Sequence, residues 1–247
     1  MEIKENERID DLEYKGLKII QRQDGFCFGI DSVLLSDFAK NIKKESIVVD
    51  LGTGTGILPI LLSAKTQAKK IYGIEIQKDM AEMAQRSVLL NHLENKIEII
   101  PQNIKEITIE KASVDVVVTN PPYKKGETGL KNENISKRIA RHEIYANLED
   151  FIKISFQLLK DKGEFYMVHR PERLVDILYE LRKNKIEPKK LRFVHSHVGE
   201  EPKLILIKAV KNAKPFLSIE KPLYVYTEQG KYTKEILEIY HKEEGEK

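Results

Sequence analysis

Apolar residues along this chain gather in two alternating patterns. Short β-branched runs, Ile47-Val48-Val49, Lys70 to Ile76, Lys96 to Ile100 and Val114 to Thr119, have the length and density of strands buried on both faces. Between them lie longer stretches with helical spacing. One runs from Ile57 to about Gln67, and another from about Lys78 to Leu93, with Met80, Met83, Ala84 and Val88 on one side. After a polar interval the pattern predicts a helix over Leu148 to Leu159 and a strand over Gly163 to Val168. Pro171 then opens a helix to about Lys183, followed by strands over Lys190 to Ser196 and Lys203 to Ala209. Ahead of the alternation stand a short strand at Lys18 to Gln21, a turn signal at Asp24-Gly25, and a helix over Gly29 to Ala39 that begins with N-cap chemistry. Behind it, Leu223 to Tyr226 and Thr233 to His241 predict a short strand and a terminal helix.

Alternating strands and helices predict an α/β, Rossmann-like, doubly wound and mainly parallel sheet of seven strands with helices on both faces. No internal repeat or low-complexity linker divides the chain. A single domain over 1–247 is expected: a lead-in (1–45), a core (46–210) and a C-terminal extension (211–247). In such sheets the ligand lies beyond the carboxyl ends of the strands, where strand order reverses. The strands ending at Asp50 and Thr119 are the expected neighbours there.

The stretch Asp50-Leu51-Gly52-Thr53-Gly54-Thr55-Gly56 fills that first strand-to-helix turn. Glycines let the backbone approach a ligand closely. The spacing differs from the dinucleotide-binding G-x-G-x-x-G, and the acid before it repels a pyrophosphate. Asp50 suits an ammonium or sulfonium, which points to S-adenosyl-L-methionine. Glu75, 23 positions after Gly52 at the end of the next strand, is placed to accept from ribose hydroxyls, with Ile76 beside it. Asn103, followed by Ile104, is placed after the third strand to meet the adenine ring of the cofactor.

Asn120-Pro121-Pro122-Tyr123 follows the fourth core strand directly. Two prolines fix two φ angles and remove two donors, leaving rigid carbonyl acceptors. Asn120 adds a further acceptor and Tyr123 a flat ring. The cluster suits a planar NH2 group, whose hydrogens go to the Asn120 oxygen and the Pro121 carbonyl while Tyr123 stacks on the ring.

Charge changes the picture only locally. The chain has 42 basic and 39 acidic residues, a net charge of +3, which alone implies no nucleic acid. Between Lys124 and Arg141, however, six basic residues face two acids immediately after the Asn-Pro-Pro-Tyr stretch. Lys124, Lys125, Lys137, Arg138 and Arg141 are candidates to grip phosphates beside a target base. The one cysteine, Cys27 between Phe26 and Phe28, excludes an internal disulfide and fits a reducing cytoplasm. No run approaches the ~18 apolar residues of a membrane span. His195 and His197 lack neighbouring ligands at metal spacing, so no metal is expected.

Together these motifs resemble the Rossmann-like, class I S-adenosylmethionine-dependent methyltransferases with an NPPY motif, over roughly residues 18 to 210. The resemblance implies that Asp50, Gly52, Gly54 and Gly56 hold the methionine part of the cofactor, Glu75 the ribose, and Asn103 with Ile104 the adenine. Relatives more often carry aspartate at the position of Asn103. Phe28-Gly29-Ile30-Asp31 is similar to a segment that closes over the cofactor, which makes Phe28 and Asp31 further candidates. Within the class, Gln21…Gly25-Phe26…Phe28…Asp31-Ser32-Val33-Leu34-Leu35, Asn120-Pro121-Pro122-Tyr123, Ala140-Arg141-His142-Glu143 and Tyr232…Leu237…Tyr240 resemble the family of bacterial tRNA adenine-37 N6-methyltransferases. That resemblance implies an RNA, specifically tRNA, partner. Two rivals remain: methylation of a protein glutamine, as in release factors, and a catalytically silent RNA-binding protein. The first carries a sizeable helical domain before the glycine turn, where this chain has only 49 residues. The second should lose Asn120 or Asp50 first, and both are present.

Overall fold

The computed structural model describes residues 3–23, 29–123 and 146–241. Outside it lie the expected turn at Asp24-Gly25, Cys27, Phe28, the basic stretch from Lys124 to Arg141, and Ala140-Arg141-His142-Glu143.

The core alternation forms as the apolar pattern predicts. Strands β3 (Ile47–Leu51), β4 (Lys70–Glu75), β5 (Ile97–Pro101), β6 (Val114–Thr119) and β7 (Leu159–His169) all run parallel to their neighbours within the order β7-β6-β3-β4-β5. Strand β8 (Ile186–His195) is reached through β9 (Pro202–Lys211), which pairs antiparallel with both β7 and β8. These seven strands match the expected number. Two stubs, β10 (Ser218–Ile219) and β11 (Leu223–Tyr224), pair with the outer edge of β8 and bring the sheet to nine strands.

The period of two along each strand sorts side chains between two cores. Val48 faces one core, shared with helices α1 (Ile30–Phe38), α2 (Ile57–Lys65) and α3 (Lys78–Leu90). Val49 and Leu51 face the other, shared with α4 (Leu148–Leu158) and α5 (Leu174–Lys183). The terminal helix α6 (Lys234–Tyr240) buries Ile236, Ile239 and Tyr240 in the first core.

The lead-in differs from expectation. Lys18–Arg22 is strand β2, and it pairs antiparallel with an unanticipated β1 (Glu7–Asp11). Charged residues in β1 hide its strand character, but Arg86 on α3 fixes it. The guanidinium donates to Glu7 Oε1 at 2.6 Å and Oε2 at 2.7 Å and also binds Glu82. Helix α1 begins at Gly29 without a side-chain cap, contrary to the expected N-cap chemistry; Asp31 lies instead in its first turn. Strand β7 starts at Leu159, four residues before the predicted one, because the helix before it stops at Leu158.

Candidate active site

Strands β3 and β6 are adjacent, so the turns after Asp50 and Thr119 meet at the carboxyl edge of the sheet, where strand order reverses. The Thr119 hydroxyl ties the two strand ends together by donating to the Leu51 carbonyl at 2.8 Å.

Gly52, Gly54 and Gly56 all take positive φ (+77°, +58° and +89°), which explains glycine at these three positions. The backbone N–H groups of Gly52 and Thr53 both donate to the Ile74 carbonyl at 2.9 Å, pinning the turn onto β4. Beside Gly54 a Cβ would meet open space, whereas at Gly56 it would press on Ala84 at 3.2 Å. Glu75 is buried: Oε2 accepts from Gly54 N and Oε1 from Gln77 N, each at 2.9 Å. The acid expected at the ribose therefore also braces the glycine turn.

Asp50 is fully buried, and neither carboxylate oxygen has a hydrogen-bond partner among the described residues. Burial pushes its pKa up to about 7, opposed by the nearby Thr53 hydroxyl and reinforced by the charge of Glu75. A buried, unpartnered carboxylate under a glycine turn fits a cationic ligand such as the methionine part of S-adenosyl-L-methionine. Asn103 caps a short 3-10 turn (Ile104–Glu106), its oxygen accepting from Lys105 N at 3.0 Å. Ile104 buries its side chain in the second core, and Ile76 is half-buried beyond the end of β4.

At the end of β6, Asn120 and Tyr123 come together with α1. Asn120 Nδ2 donates to Ser32 Oγ at 3.1 Å. The Tyr123 hydroxyl lies 2.6 Å from Asn120 Oδ1 and 3.2 Å from Asp31 Oδ2. Its single proton serves both acceptors. Burial and the Asp31 charge hold the Tyr123 pKa well above the ordinary phenol value, so the hydroxyl stays protonated. Asp31, expected to close over the cofactor, is brought to Tyr123. The Tyr123 ring meets His169 edge-on at 4.9 Å, and the Arg170 guanidinium stands 5.5 Å from its centroid. Pro121 and Pro122 border a shallow cavity together with Phe151, His169 and Arg173.

Ser32, His169 and Arg170 were not among the anticipated site residues. His169 closes β7, and the rule that ligands meet strand carboxyl ends would have singled it out. Burial lowers its pKa to about 4, so the ring is neutral near pH 7. Its Nδ1 accepts from Arg170 N at 2.8 Å, which leaves the proton on Nε2.

Known proteins bear on this arrangement in three ways. Among curated proteins, the chain is similar to the tRNA1(Val) (adenine(37)-N6)-methyltransferase of Phocaeicola vulgatus, with 28% identity over 81% of this chain and 86% of the relative. The enzyme of the same name from Tolumonas auensis is 25% identical over 92% and 93% of the two chains. Among solved structures, a predicted O-methyltransferase from Agrobacterium tumefaciens shares the fold, with a TM-score of 0.70, 19% identity, and coverage of 85% of this chain and 95% of that one. TYW2 of M. jannaschii, solved with AdoMet, superposes with a TM-score of 0.59 at 18% identity over 85% and 88% of the two chains. The sequence itself matches the methyltransferase small domain family over residues 29–181, from the start of the lead-in helix through α5. The chain belongs to the methyltransferase small domain family and is an S-adenosyl-L-methionine-dependent methyltransferase.

Proposed function

We propose that this enzyme methylates the exocyclic N6 amine of an adenine in RNA, with tRNA as substrate and adenine 37 of tRNA1(Val) as the target that its relatives' names indicate. The observation that carries this reading is the placement of Asn120-Pro121-Pro122-Tyr123 at the end of β6, beside the glycine turn of β3. Asn120 there turns its oxygen toward the Tyr123 hydroxyl at 2.6 Å, which supports its reading as an acceptor for an incoming N–H.

When bound, S-adenosyl-L-methionine supplies an electrophilic methyl group on a sulfonium. Asp50 and the turn from Gly52 to Gly56 would hold its methionine part, Glu75 its ribose, and Asn103 with Ile104 its adenine. The work of the chain is on the amine. Adenine N6 is a poor nucleophile because its lone pair is shared with the ring. Asn120 Oδ1 and the Pro121 carbonyl accept its two hydrogens, orient the nitrogen and favour a tetrahedral geometry with an available lone pair. Asn120 Oδ1 has two lone pairs, so it can accept from the amine beside the Tyr123 hydroxyl, while the Tyr123 ring stacks on the base. After transfer the nitrogen is acidic enough to lose a proton to water, and no side chain is needed as base. The target base must leave its stack, which costs least in a single-stranded loop. The basic residues Lys124, Lys125, Lys137, Arg138 and Arg141 hold the neighbouring phosphates. Such an enzyme acts on tRNA in the cytoplasm.

Single-turnover methylation of unmodified tRNA, followed by nucleoside mass spectrometry, tests the reading. N6-methyladenosine is the expected product. Asn120→Ala should lower the rate by ~10²–10³ while tRNA affinity is retained. Tyr123→Ala should lose stacking worth ~1–3 kcal/mol, and Tyr123→Phe should stay largely active. A fully active Asn120→Ala enzyme removes Asn120 from the chemistry. Methylation of a release-factor glutamine peptide in place of tRNA would select the protein-substrate alternative.

A further inference from the structure

Ser32 stands apart from the other buried helical serines. Ser36, Ser63, Ser87 and Ser155 each donate to a carbonyl one turn back, at 2.7–2.9 Å, as buried hydroxyls in helices commonly do. Ser32 is likewise buried, at 5% exposure, yet it faces across to another element, where Asn120 Nδ2 donates to its oxygen at 3.1 Å. An asparagine amide has two different edges, and only the oxygen edge can accept from a substrate amine. A partner that holds the NH2 edge decides which way the amide points. Because Ser32 lies in the first turn of α1, the lead-in helix thereby reaches the reacting centre.

We infer that Ser32 is a positioning residue: by holding Asn120 Nδ2 it keeps Asn120 Oδ1 turned toward the substrate amine. The inference rests on the proposed role of Asn120. Ser32 itself touches neither amine nor methyl donor, and it acts only through the asparagine. Losing it leaves the NH2 edge without that anchor and only the Tyr123 contact on the oxygen edge to orient the amide, and a misplacement of about 1 Å at a reacting group costs up to roughly 10²-fold in rate. Alanine is an excellent helix former, so Ser32→Ala leaves α1 intact.

Two measurements test this. In single-turnover methylation of tRNA, Ser32→Ala should lower the rate by about 10- to 100-fold, with S-adenosyl-L-methionine affinity by calorimetry unchanged. The same substitution in an Asn120→Ala background should cost nothing further. An equal loss in both backgrounds would show that Ser32 acts by another route and overturn the inference. The second measurement needs no substrate. The side-chain amide signals of Asn120 in a 15N–1H spectrum, assigned by their disappearance in Asn120→Ala, should move in Ser32→Ala. Unmoved signals overturn the inference even if the enzyme proves inactive on tRNA, an outcome that would count against the proposed function alone.

Discussion

At the scale of single residues, Asp50 carries the sharpest conflict in the molecule. A fully buried carboxylate without a hydrogen-bond partner among the described residues is costly in the free protein. Its pKa of about 7 lies above the ordinary carboxylate value. The native state therefore holds a proton that the unfolded chain has already released, and this contribution to stability, present at pH 4, is lost as pH rises through about 7. Asp50→Asn removes that dependence. Thermal melts without cofactor should show the variant gaining on wild type by several degrees between pH 5 and pH 8. Calorimetry at pH 8 should show the opposite for function, with S-adenosyl-L-methionine bound much more weakly by the variant. Wild-type affinity for the cofactor should itself rise from pH 6 to pH 8 as Asp50 ionises; a flat profile would remove Asp50 from the cofactor site. Asp50, Glu75 and Asn120 were placed at this edge by the sequence because each lies at or just beyond the end of a predicted strand, and strand ends converge in this fold. Ser32 was not, since 88 positions separate it from Asn120 and only tertiary packing joins them.

At the scale of elements, the strands of the core were legible because they are buried on both faces and therefore read as continuous apolar runs. The hairpin of β1 and β2 was not, because the five residues of β1 are mostly charged and the one that is buried, Glu7, is an ion-paired acid. Glu7 is held by Arg86 across 79 positions, a pairing that no local pattern encodes. The Arg86 guanidinium, mainly through its hydrogen bonds, lowers the Glu7 pKa to about 2. A lowered folded-state value means stability that is present above the unfolded carboxylate pKa and lost as pH falls from about 5 toward 2. Arg86→Ala strips the covered Glu7 carboxylate of its guanidinium and leaves it the Lys4 backbone N–H, and breaking a buried ion pair typically costs up to ~3–5 kcal/mol. Urea unfolding at pH 7 should show a clearly lower midpoint for the variant, and the gap should narrow toward pH 3. An unchanged midpoint at pH 7 would mean that the clamp contributes nothing to holding the hairpin on α3.

At the scale of the whole molecule, the sheet gathers its chemistry at one edge, while its charge offers little long-range attraction for RNA. A net charge of +3 spread over 247 residues is too small to steer a polyanion by itself. Under the proposed function, affinity for RNA must then come from a local cluster, and the stretch that begins with Lys124 follows Tyr123 directly in the chain. Each phosphate that a basic side chain neutralises releases counterions, so binding weakens linearly on a log–log plot against salt. Neutralising Lys124, Lys125, Arg138 and Arg141 together should reduce that slope by roughly 0.7–0.9 for every phosphate that no longer has a basic partner. The fall in affinity should be alike for tRNAs of different sequence, because phosphate contacts position the substrate without reading its bases. Filter binding of several tRNAs between low and moderate salt measures both quantities. A slope identical to that of wild type would place these side chains on a solvated face away from the RNA. A fall confined to one tRNA would give the stretch a part in reading sequence or shape, which a set of phosphate contacts does not provide.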